Sequence, residues 1–309
     1  MHEWLTPGVV GREAGNRAAM STIVSARGSD RNPRQIETEE VTIVVATRNR
    51  ADRLAETVPH HRAPLIVVDN ASEEPIRVPD AEVIRLPRNL GAAARNVGVE
   101  RARTPYVAFA DDDSYWENGA LARAAALMRD HPRVALLAAE VRVGLEGRLD
   151  PTSAAMAAAP LGTPADAPGP AVLGFLSCAV VVRRDVFLAV GGFQPRLFVY
   201  GEEALLAIDL AAAGHLLCYA PSLGVRHLPE SSGRDPRARR RIEGRNRVVT
   251  ALLRRPPAVV ARHALQAGPF ALTSVLRHLP WALRHRHRIP PSVEASLRLV
   301  SGAVGTTNP

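Results

Sequence analysis

"YVAFADDD", residues 106–113, runs five apolar or aromatic residues straight into three consecutive aspartates. A short, almost wholly apolar run reads as a strand covered on both faces. Three adjacent carboxylates repel one another, so water on a loop or a metal ion must compensate them. Working outward, "VTIVVAT" (41–47), "PLIVVDN" (64–70) and "AEVIRLP" (81–87) are further short β-branched runs. Helical patterns separate them: "RADRLAETV" (50–58), "NLGAAARNVGVERAR" (89–103) and "ENGALARAAALMRDHP" (117–132). Alternating strands and helices predict an α/β fold, a mixed but mainly parallel sheet with helices on both faces. Ligands then belong at the carboxyl ends of the strands.

Downstream, "VALLAAEVRV" (134–143) reads as a strand and the Ala-, Gly- and Pro-rich residues 144–170 as a loop. "AVLGFLSCAVVVRRDVFLAVGGF" (171–193) reads as a strand, a short helix and a glycine turn, with Gly191-Gly192 as the turn. "GEEALLAIDLAAAG" (201–214) predicts a helix and "HLLCYAP" (215–221) a strand. The expected domains are a flexible N-terminal extension over 1–39, a catalytic α/β domain over 40–229 and a basic, helical C-terminal region over 230–309. There is no internal repeat.

The formal net charge is +8, and all 39 basic residues are arginine. Arginine's planar fork suits two-point contacts with phosphates. Cys178 and Cys218 lie in apolar segments without metal or redox spacing, so buried free thiols are expected. The first residues lack the basic start and apolar core of a signal peptide. No run of roughly 18 uninterrupted apolar residues predicts a membrane span. The expected location is the cytoplasm, with the inner face of the membrane within reach of the basic region.

Polar residues cluster at the strand ends: Thr47, Arg48, Asn49 and Arg50 after the first, Asp69 and Asn70 after the second, Asp111, Asp112 and Asp113 after the fourth. In a parallel sheet these tips share one edge. Each cluster alone is equally well a solvated turn; all of them at carboxyl ends point to a cleft. In extended chain, Asp111 and Asp113 would point the same way and converge on one cation, with Asp112 turned away. Hard oxygen ligands suit Mg²⁺ or Mn²⁺, which also bind diphosphates. "ATRNRAD" stands where a dinucleotide-binding chain would carry G-x-G-x-x-G, and no phosphate-binding G-x-x-x-x-G-K-[ST] loop occurs.

Six motifs, "VTIVVATRNR", "IVVDNAS", "RNLGAAARNVGV", "FADDDSYW", "VRRDVFLAVGGF" and "YGEEALLAIDL" followed by "GVRHL", resemble in order a family-2 glycosyltransferase of the GT-A fold over roughly residues 40–255. The pattern looks most like bacterial rhamnosyl- or galactofuranosyltransferase-like enzymes of cell-envelope polysaccharide. The resemblance implies an inverting transfer from a nucleotide-diphospho-sugar to a hydroxyl of a saccharide, lipid-linked or small-molecule acceptor. It implies that Thr47, Arg50 and Asp69 hold base and ribose. Gly91 would let the backbone approach the nucleotide. Arg95, with Asn96, would reach donor groups. Asp111 and Asp112 would face the donor. Asp111 and Asp113, with His227, would hold Mg²⁺ or Mn²⁺, although His227 could equally be a surface histidine. "GEE" departs from the commoner Gly-Glu-Asp, which makes Glu203 the first candidate for catalytic base and Glu202 the second. Both could instead complement the positive helix end. Trp116 suits a sugar face or plain apolar packing.

Two other readings stand beside this one. A nucleotidyltransferase of the same fold would need a glycine- and lysine-rich phosphate loop that is absent here. A basic module binding membranes or anionic polymers would draw on "RDPRARRRIEGRNR" (234–247) and the Arg- and His-rich stretch after it; nucleic acid is disfavoured because aromatic interleaving is missing.

Overall fold

A computed structural model describes residues 36–229 and 235–305. Its first part alternates β1 (Val41–Thr47), α1 (Ala51–Thr57), β2 (Leu65–Asp69), β3 (Glu82–Arg85), α2 (Ala94–Arg101) and β4 (Tyr106–Ala110). Next come β5 (Ser114–Trp116), α3 (Ala120–Asp130), β6 (Val134–Val143), β7 (Arg148–Leu149), α4 (Pro151–Ala157), β8 (Val180–Arg183) and α5 (Arg184–Ala189). α6 (Glu202–Ala212) and β9 (Leu216–His227) complete the sheet domain. Five helices follow: α7 (Pro236–Arg254), α8 (Pro257–Ala267), α9 (Pro269–Leu276), α10 (Leu279–Arg284) and α11 (Pro291–Gly305).

The sheet order is β3-β2-β1-β4-β8-β6-β9-β5, with β7 paired to β6. β3, β2, β1 and β4 run parallel, β8 is antiparallel to β4 and β6, and β6 and β9 run parallel to each other. Strand alternation sorts the side chains. Ile43, Val45 and Val67 join a core with Leu54 of α1 and Leu121 of α3, while Val44, Ile66 and Val68 face the opposite core, against α2, α5 and α6. α2 approaches β1 so closely that a Cβ on Gly98 would lie 2.4 Å from Val44 Cγ1. This contact accounts for the glycine at 98.

Three expectations change. Residues 144–170 hold β7 and α4 as well as loop; Asp150 starts α4 by accepting from the Thr152 N–H. Ser114–Trp116 form a strand antiparallel to β9. The extension, expected to end at 39, lies outside the described residues up to 35, but Glu37 is anchored. Its carboxylate accepts from the Gly119 and Leu121 N–H groups at the start of α3.

The C-terminal helices close over α6. Leu205 of α6 packs with Leu197, Val248, Val249 and Leu253, and Ile208 packs with Ile289 and Leu297. Leu206, Ala207 and Leu210 face the sheet. α6 is therefore covered on both sides, which explains why "ALLAIDL" is apolar nearly all round. Arg254 makes a two-point ion pair with Asp209 of α6 at 2.5 and 3.0 Å, and Arg255 pairs with Glu294 at 3.0 Å twice.

Candidate active site

The carboxyl tips of β1, β2 and β4 lie side by side, as the register Thr47↔Asp69 and Val45↔Ala110 requires. β5 pairs Ser114 with His227, so the end of β9 is delivered beside the aspartates. The aspartates are not in extended chain, which corrects the expected convergence of Asp111 and Asp113. They occupy a turn closed by the Ser114 N–H donating to the Asp111 carbonyl at 3.1 Å, with the Asp111 N–H donating to Ser114 Oγ at 2.8 Å. The carboxylates fan apart onto different partners. Asp111 pairs with Arg95. Asp112, far from turning away, is buried, accepts from Thr47 Oγ1 at 2.7 Å and meets Arg50 at 2.8 Å. Asp113 meets the same Arg50 at 3.3 Å and lies 3.3 Å from His227 Nε2. Burial raises the Asp112 carboxyl to about 6 despite the opposing Thr47 hydrogen bond and Arg50 charge. The like charges of Asp111 and Asp113 push the same way as burial.

Other expected donor residues are committed internally. Asp69 is fully buried; its carboxylate accepts from the Ser72 and Ile76 N–H groups and from Arg85 Nη1, shaping the turn after β2. Gly91 has φ +61°, and a Cβ there would lie 2.3 Å from the Phe198 carbonyl oxygen. Its close approach is thus to the 197–201 loop, where the expectation had the nucleotide. Asn96 clasps the Phe193 backbone through both its amide nitrogen and its oxygen. Trp116 is buried and donates from Nε1 to the Phe109 carbonyl, so it is packing. Arg95 remains at the cleft, paired to Asp111, with its guanidinium over the Phe193 ring.

Glu202 and Glu203 open α6. The Glu203 carboxylate accepts from the Gly201 N–H at 3.1 Å. Burial, then the neighbouring Glu203, pushes Glu202 up to about 7, with Arg95 opposing; burial raises Glu203 as well. The two carboxyls titrate as a pair, both held toward the protonated form chiefly by burial. The pair is aimed by a strained loop: Phe198, Tyr200 and Gly201 have φ of 68, 65 and 91°. Fully buried Asn246 of α7 holds that loop, donating from Nδ2 to the carbonyls of Leu197, Val199 and Tyr200 at 2.9, 3.0 and 2.8 Å. The Phe198 carbonyl accepts from the Ala92 N–H at 2.7 Å, tying the loop to the start of α2. Sequence reasoning missed Asn246; no spacing pattern links it to residues 46 to 49 positions earlier.

The model of glycosyl transferase family 2 matches residues 42–190. Residues 42–190 are a family 2 glycosyl transferase domain. The chain is 32% identical over 246 residues to the pre-mycofactocin glycosyltransferase of Mycobacterium tuberculosis, covering 74% of this chain and 52% of that protein. A shorter match, 46% identical over 66 residues, is to the N-acetylglucosaminyl-diphospho-decaprenol L-rhamnosyltransferase of the same organism, covering 21% of this chain and 22% of that one. The chain thus spans about half the length of the first relative. Among solved structures, GalNAc-T7 with UDP, GalNAc and Mn²⁺ superposes with a TM-score of 0.61 at 14% identity, covering 88% of this chain and 58% of that one. The mannosyltransferase PcManGT of Pyrobaculum calidifontis with GDP-Man and Mn²⁺ gives 0.53 at 19% identity, covering 90% and 80%. The fold is that of GT-A glycosyltransferases. In this glycosyl transferase domain the family model ends before the Glu202–Glu203 pair, His227 and Asn246, so geometry alone joins them to the aspartate turn.

Proposed function

We propose that the protein transfers a sugar from a nucleotide-diphospho-sugar to an acceptor hydroxyl with inversion. The observation carrying this reading is a cation-braced aspartate turn inside the family 2 domain and a buried glutamate pair beyond its end, both acted on by Arg95. Arg95 pairs with Asp111 while its charge acts on Glu202. The Glu203 carboxylate accepts the proton of the acceptor hydroxyl as its oxygen bonds to the anomeric carbon. The bond from that carbon to the diphosphate breaks on the opposite face, and the nucleoside diphosphate leaves with the electron pair. Arg95 and Arg50, each able to exchange a carboxylate for a phosphate, orient the departing group.

Among the described residues no group of three or more acids, histidines or cysteines is arranged to hold a metal. The donor chemistry nonetheless fits a divalent ion. Asp113 and His227 stand 3.3 Å apart and would hold it, with Asp111 of the same turn paired to Arg95. Mg²⁺ or Mn²⁺ held there would neutralise charge on the leaving diphosphate. Mn²⁺ with UDP or GDP-Man in the superposed structures supports a metal and a nucleotide-sugar donor. The name of the shorter match favours a saccharide or lipid-linked acceptor. The two buried free cysteines favour a reducing compartment, the cytoplasm. The test is transfer or donor hydrolysis with Mn²⁺ across a panel of nucleotide sugars. Turnover that needs Glu203 is expected; pyrophosphate release from nucleoside triphosphates, with no transfer, would overturn the reading.

A further inference from the structure

We infer that helices α8, α9 and α10 form a surface that docks on an anionic phospholipid bilayer. From residue 244 to 293 the chain carries nine arginines and four histidines and not one acidic residue. The inward arginines are satisfied within the fold: Arg254 by Asp209, Arg255 by Glu294, Arg286 by the Leu252 and Arg255 carbonyls. Arg262, Arg277 and Arg284 face outward and have no carboxylate within ion-pair distance among the described residues.

The same outward faces carry large apolar side chains. Nine large hydrophobic residues are exposed among the described residues, and four stand on these three short helices: Leu265 at 87%, Phe270 at 68%, Leu276 at 65% and Leu283 at 55%. On α8, Ala258, Ala261, Arg262 and Leu265 are exposed at helical spacing; on α9, Phe270, Thr273, Leu276 and Arg277; on α10, Leu283 and Arg284. The inner faces pack on α7 and the helices follow one another in space, so the outer faces adjoin. Arg241 of α7 stands over the Phe270 ring, and Arg239 stands over Tyr200 beside the glutamate pair.

Apolar anchors a residue or a turn from unpaired guanidinium groups match a lipid surface, with side chains in the acyl boundary and arginine forks on headgroup phosphates. No described helix is long and apolar enough to cross a membrane, so the helices lie on it. The positive charge without acids selects an anionic bilayer over a second copy of this basic chain.

The test is sedimentation of the full chain with phosphatidylglycerol–phosphatidylcholine vesicles against pure phosphatidylcholine vesicles. Binding to the first and not the second is expected. Each outward arginine strengthens such binding about fivefold, so Arg262→Glu/Arg277→Glu/Arg284→Glu weakens it by at least about a hundredfold. Leu265→Ser/Phe270→Ser/Leu276→Ser/Leu283→Ser leaves a weak attraction that salt abolishes. All seven side chains are exposed, so unchanged thermal melting shows both variants fold. The inference is overturned if the parent chain ignores anionic vesicles, if both variants bind like the parent, or if the parent is a dimer that the same substitutions split. Vesicle binding requires no donor sugar, so this outcome is separate from that of the proposed reaction.

Discussion

At the strand-tip edge, Thr47, Arg50, Asp112, Asp113 and His227 come from three strand ends, of β1, β4 and β9, that the sheet brings together. In the C-terminal layer, α7–α11 are positioned by particular hooks: Arg254 on Asp209, Arg255 on Glu294, Asn246 on the 197–201 loop. The first region inherits its geometry from topology and uses polar residues for chemistry. The second must spend polar residues on holding itself in place. Substitutions should therefore separate the two: chemistry lost without unfolding at the edge, stability lost without chemistry in the layer.

The largest effect is expected from Glu203→Gln, which removes the proposed proton acceptor. kcat should fall about 10²- to 10⁴-fold with nucleoside diphosphate affinity unchanged, as steady-state kinetics beside calorimetry will measure. Next is Arg254→Ala, which leaves Asp209 half-buried and unpaired. Denaturant unfolding should report a loss of about 3–5 kcal/mol, and the comparison breaks if donor affinity falls before stability does.

Asp112→Asn sharpens the edge. The folded-state value of Asp112 is raised from 3.8 to about 6, so its contribution is fully present below pH 3.8 and is lost as pH rises through 6. With chelator present, the asparagine variant should gain up to about 3 kcal/mol relative to the parent between those limits. A difference that does not vary with pH would contradict the burial argument. The smallest effect tests the bridge between the regions. Asn246→Ala strips the buried carbonyls of Leu197, Val199 and Tyr200 of their donor and should cost about 2 kcal/mol. It should also move the pH–rate profile, because the loop aims Glu202 and Glu203; an unchanged profile would confine Asn246 to packing.

The strands were legible because β-branched runs such as Val41–Val45 must be covered on both faces, and their polar tips marked the edge. The turn at Asp111–Asp113 was not legible. Its hydrogen bonds depend on Ser114, and its charge balance on arginines some 16 to 63 positions away. α4 was hidden by an alanine- and proline-rich composition that suits loop and helix alike. Asp69 and Asn96 had the right chemistry for a ligand, yet nearby backbone groups claim them, a competition that residue type cannot decide. Asn246 lay in an arginine-rich run whose charge drew attention from its one buried amide.

The central claim is that the braced aspartate turn is a nucleoside diphosphate site. Calorimetry with UDP, GDP, CDP and dTDP, with and without Mn²⁺, tests it most directly on the parent chain and on Asp113→Ala. The account predicts Mn²⁺-dependent binding of at least one nucleotide by the parent, with that dependence lost in Asp113→Ala. Binding of none of them, or the same metal dependence in both proteins, would contradict it.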